Sequence, residues 1–135
     1  MKHHVIAACL LIGAAVYAAN ELSTVATVNY NKSGAQIQAT KQTSITISGN
    51  TYCDQVWDAP TNETQVTLCS GLTTPGVVFL QNLDASNTVL HGTTSGSLGG
   101  KLKAGEWALF RMASTNLYLR ADTTNVLVRS LIFPD

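Results

Sequence analysis

A chain of 135 residues is long enough to bury one core and too short for two. Eight basic side chains balance eight acidic ones, and charged residues make up only 12% of the chain. That balance argues against a duplex-binding surface, whose affinity rests on Lys and Arg neutralising phosphates. A hydrophobic content of 45% argues against wholesale disorder.

In chain order, Met1-Lys2-His3-His4 leads into an unbroken apolar run over residues 5–19. A short basic head, an apolar middle and Val16-Tyr17-Ala18 before Ala19 predict a secretory signal over residues 1–18. The folded part is then one domain over residues 19–135. The run falls short of the ~20 residues that a spanning helix needs, so stable membrane anchoring is not expected. Past residue 18 two cysteines remain, Cys53 and Cys69. An even count in an exported chain predicts a disulfide, which would close a loop of about 17 residues and contribute ~3 kcal/mol. Without export, the same residues are expected as two buried thiols.

The rest of the chain reads as strands, because no long stretch combines helical apolar spacing with freedom from Gly, Pro and β-branched runs. Strands are predicted at residues 22–29, 35–39, 43–48, 51–57, 64–69, 76–83, 87–91, 106–112 and 117–133, the last broken near 122–125. Ile45 and Ile47 share one face of their segment, as do Val66 and Leu68. Continuous apolar stretches at 77–80, 107–110 and 126–128 predict strands covered on both faces. Gly49-Asn50 reads as a hairpin turn, and the glycine-rich residues 92–100 as a mobile loop. Short strands at regular spacing predict an all-β fold, an antiparallel β-sandwich of jelly-roll type with about nine strands.

Catalytic constellations are scarce. The one histidine after the signal, His91, reads as a strand-end side chain, and no Gly-x-Ser-x-Gly turn accompanies it. The carboxylates lie scattered, mostly beside turn residues, where they ordinarily bond local backbone. No histidine pair, Cys-x-x-Cys or calcium-loop spacing follows the signal, so no metal or cofactor is expected. Aromatic side chains offer a binding hypothesis, since flat rings stack on sugars or bases at low entropic cost. Trp107 shares a strand face with Leu109 and reads as core. Trp57, directly before Asp58-Ala59-Pro60, is the better candidate for an exposed contact, with Tyr52 beside it.

Three stretches carry a resemblance: residues 76–87 with Asn82-Leu83-Asp84, residues 102–111 with Lys103-Ala104-Gly105-Glu106 leading into Trp107-Ala108-Leu109-Phe110, and Leu117-Tyr118-Leu119-Arg120-Ala121. Together, over residues 76–133, they resemble small β-sandwich structural proteins of tailed-phage virions, and Ala19-Asn20-Glu21-Leu22 resembles their usual start. The resemblance implies a non-enzymatic component of head or tail, located in the virion, whose partners are its own copies or other virion proteins. The alternative is a secreted or periplasmic carbohydrate-binding or adhesion module whose partner is a glycan. For assembly the expected contact is residues 22–29, an edge strand rich in Thr and Val without the Lys or Pro that usually protects such an edge.

Overall fold

The computed structural model describes residues 21–135, so the expected signal segment lies outside the described residues. The fold is all-β, and every pairing is antiparallel. The strands are β1 (Glu21–Lys32), β2 (Ala35–Thr46), β3 (Cys53–Ala59), β4 (Thr64–Gln65) and β5 (Pro75–Asn82). They continue with β6 (Val89–Gly92), β7 (Gly100–Leu102), β8 (Trp107–Arg111), β9 (Tyr118–Ala121) and β10 (Val126–Pro134).

Eight of these strands form two four-stranded sheets, ordered β3-β10-β5-β8 and β4-β9-β6-β7. Strands far apart in sequence therefore pair: β3 with β10, β4 with β9 and β5 with β8, closing on the local pair β6 and β7. The two sheets face each other across an aliphatic core. Alternation along β10 sends Val126, Val128 and Ile132 inward, where they meet Val78 and Leu80 of β5 and Val89, Leu117 and Leu119 from the opposite sheet, all at most 2% exposed. Asn82 and Ser130 are the buried polar residues of this core, and Asn82 is fully bonded. Its amide donates to the carbonyls of Asn87 and Leu102 and its Oδ1 accepts from the Asp84 N–H, so burial leaves no hydrogen-bonding group of this side chain unmet.

β1 and β2 stand outside the sandwich as a two-stranded sheet of their own. Each strand has 12 residues, joined by Ser33-Gly34 with φ of 52° and 84°. A two-residue hairpin loop with positive φ at both positions matches the natural twist of the strands, and Gly at the second accepts that conformation without strain. The register places Leu22, Ala26, Val28 and Tyr30 on the same face as Ala35, Ile37, Ala39 and Ile45. The other face, apart from Val25, carries Ser, Thr, Asn and Gln among residues 23–44. The arm is thus amphipathic, with its apolar face outside the core.

Several sequence expectations change at this level. Residues 35–39 and 43–48 were expected as two strands, but Thr40-Lys41-Gln42 contains no turn residue and β1 pairs continuously along it, so they merge into β2. Gly49-Asn50 does not turn a hairpin, because β2 pairs with β1 while β3 pairs with β10; the two residues lie in the linker between arm and sandwich. Residues 92–100, read as a mobile loop, hold a bridge between Thr94 and Ser97 and lead into β7. β5 and β10 are interior strands as their apolar runs predict, but β10 is not covered on both faces, since Leu127 is 51% exposed, and β8 is an edge strand.

Candidate interaction surfaces

Among the described residues, no group of three or more His, Cys, Asp or Glu side chains is placed to hold a metal ion. The carboxylates do local structural work. Asp84 accepts from the backbone N–H groups of Asn87 and Ser86 at 2.7 and 2.8 Å, which hold its pKa below the ordinary value. Glu106 accepts from the Lys103 N–H at 2.8 Å and donates its own N–H to the Lys103 carbonyl, closing the Lys-Ala-Gly-Glu turn around Gly105, whose φ is 74°. Glu63 accepts from the Ser95 hydroxyl and the Gly96 N–H, and both bonds lower its pKa; they also fasten the glycine-rich loop to the segment before β4. His91 lies half-buried, its ring 5.1 Å from Phe110 and over Gly100, and burial lowers its pKa.

The sequence-predicted contact residues fall in different places. Cys53 and Cys69 are joined, their sulfurs 2.09 Å apart, across the turn at residues 58–62. Trp57 points inward, opposite Val128, and is half-buried against the core with its Nε1 donating to Gln55 Oε1 at 3.2 Å. Inward alternation from buried Cys53 to buried Ala59 requires this, because both lie an even number of positions from Trp57. Tyr52 is 61% exposed, with its ring 6.4 Å from Phe133, so it does not join Trp57 in one site.

The exposed tryptophan is instead Trp107. It does share a face with Leu109, as the spacing requires, but that face is the outer one, and the expected core placement is overturned by its 55% exposure. Trp107 stacks on Phe79 at 5.8 Å. Cross-strand register fills out the surface: Asp54, Leu131, Phe79 and Leu109 make one row across β3-β10-β5-β8, and Val56, Arg129, Gln81 and Trp107 make the next. Asp54 accepts two hydrogen bonds from Arg129 at 3.0 and 2.7 Å, a bidentate pair that lowers the carboxyl pKa. The outer sheet face thus carries Phe79, Trp107, Leu109 and Leu131 beside Gln81, Arg111 and Arg129, with the carboxylates of Asp54 and Asp58 along β3.

Among the described residues two surfaces expose apolar side chains without a partner, the arm and this sheet face. On the arm, Val28, Tyr30 and Ile37 are 61%, 48% and 59% exposed. Sequence reasoning took residues 22–29 as an unprotected edge strand and missed that they pair with β2 in a ribbon with one apolar side. The signal was present in Ser33-Gly34, flanked by alternation in opposite registers. Comparison of the chain with protein-family models, curated proteins and solved structures finds no match.

Proposed function

We propose that the protein is a non-enzymatic structural component of a virion, part of a head or tail, that acts by packing against its own copies or other shell proteins. The observation that carries this reading is the amphipathic arm of residues 21–46, whose apolar face has no partner among the described residues. A two-stranded hairpin is marginal by itself in water, and a contiguous exposed apolar patch marks an interaction surface. The strand order adds support: pairs β3·β10, β4·β9, β5·β8 and β6·β7 describe one long hairpin rolled up, which we read as a jelly roll. That architecture serves capsid proteins and lectins alike, so its weight is one of analogy. Low charge leaves little repulsion between copies.

The test combines sedimentation of the isolated protein across concentration with mass-spectrometric analysis of purified particles. Concentration-dependent association and presence in particles are the expected results. A monomer at every concentration, absent from particles, overturns the reading. The second reading is a secreted glycan-binding module, favoured by the Cys53–Cys69 bond, typical of oxidising compartments, and by the Trp107–Phe79 stack. Saturable binding of a polysaccharide, lost in Trp107→Ala, would replace assembly with that function.

A further inference from the structure

We infer that the apolar face of the arm docks on the outer face of the β3-β10-β5-β8 sheet of a second copy of this chain. The inference rests on the assembly reading and names the partner and both surfaces.

The argument for this occupant begins with charge. Lys32 and Lys41 lie on the arm's apolar face, one row beyond Val28, Tyr30, Ile37 and Ala39 at either end. No Asp or Glu occurs from residue 22 to residue 53. Packing arm on arm would bring four lysines together with no carboxylate on either face, an arrangement that costs free energy as the surfaces desolvate. The sandwich, residues 47–135, carries seven acids (Asp54, Asp58, Glu63, Asp84, Glu106, Asp122, Asp135) against five bases (Lys101, Lys103, Arg111, Arg120, Arg129). Two of those acids stand on β3 at the margin of the sheet face: Asp54, paired with Arg129, and Asp58, which accepts from Asn125 and forms no ion pair among the described residues. Lysines that bracket an apolar cluster thus meet a surface with Leu131, Phe79, Leu109 and Trp107 toward β8 and the Asp58 carboxylate at the β3 margin, while Arg129 between them is neutralised by Asp54.

Shape and reach point the same way. The distal half of the ribbon, from the row of Ala26 and Lys41 to the turn, is about 20 Å long at ~3.4 Å per residue, close to the dimension of four sheet rows. The linker runs against the end of β10: an added Cβ at Gly49 would lie 3.1 Å from the Pro134 ring, and the Ser48 hydroxyl donates to the Asp135 carbonyl. Pinned there, the arm leaves its own sheet face uncovered.

The test uses the full chain in a Cys9→Ser background, with one preparation carrying Ile37→Cys and another Leu109→Cys, mixed and treated with a short bifunctional maleimide. The expected product is a covalent pair containing one chain of each kind, with neither preparation cross-linking alone. In parallel, Tyr30→Ser/Ile37→Ser lowers the association constant at least ~10-fold, as loss of central apolar contacts does, while circular dichroism of the sandwich is unchanged. Cross-linking of Ile37→Cys to itself shows arm on arm and overturns the inference. So does an internal cross-link in a chain carrying both cysteines, which shows the arm folded back on its own sheet. Association that survives Tyr30→Ser/Ile37→Ser, with no mixed product, overturns the inference and leaves assembly standing; a chain monomeric at every concentration overturns both.

Discussion

Ser130 places a hydroxyl in the core, fully buried on β10, and among the described residues no group bonds its Oγ. A buried donor without a partner costs roughly 1–3 kcal/mol of desolvation. Ser130→Ala is therefore expected to stabilise the protein, by about 1 kcal/mol after loss of the oxygen's own packing, read as a higher denaturant midpoint at unchanged slope. His91 sets the first response to acid. Burial lowers its pKa from 6.5 in the folded state, so the unfolded chain binds the proton more readily. Its contribution is fully present above the unfolded pKa of about 6.5 and is lost as pH falls through the folded value. The lowered carboxyl pKa values of Glu63 and Asp84 act further down, with stability present above their unfolded values and lost as pH falls through the folded ones. Thermal midpoints measured from pH 8 to pH 3 should decline in two stages. In His91→Leu the earlier stage should vanish while the later one stays.

At the level of elements, β6 and β7 are held together through a close approach. Gly100 pairs with His91, and a Cβ at Gly100 would overlap the imidazole ring that covers it. Gly100→Ala is expected to cost about 1–3 kcal/mol by overpacking. The double variant with His91→Ala should recover much of that loss, a coupling that a double-mutant cycle of unfolding free energies measures directly. The disulfide acts on a different part of the sandwich, tying the first residue of β3 to the loop before β5. Cys53→Ala/Cys69→Ala should lower stability by ~3 kcal/mol in the chain-entropy account, and reductant should lower the wild-type midpoint without affecting the variant.

For the molecule as a whole, the arm and the sandwich are separate sheets, so they should respond separately to change. Substitution of Val28, Tyr30 or Ile37 on the arm is expected to change the unfolding free energy of the sandwich by no more than about 0.5 kcal/mol, as at exposed positions generally, while altering association. Substitution of Val78 or Leu80 to Ala should do the reverse of this at the midpoint, at a cost of roughly 2–5 kcal/mol for Leu80. Calorimetry and sedimentation on the same samples distinguish the two effects.

Local chemistry in the sequence already determined the strand content and most of the turns. Alternation, β-branched residues and turn formers act over a few neighbours, so the all-β sandwich and the pairing of Cys53 with Cys69 across its short loop were legible. Period-two spacing also established that Trp107 and Leu109 share a face. It cannot say which face is covered, because burial depends on strands brought from far along the chain. β8 has apolar residues on both sides; Ala108 and Phe110 take the inner one against the core, and Trp107 points outward for that reason. The same limit hid the arm: residues 22–46 alternate like any half-buried strand pair, and only the tertiary structure, by pairing β3 with β10, left them outside the core.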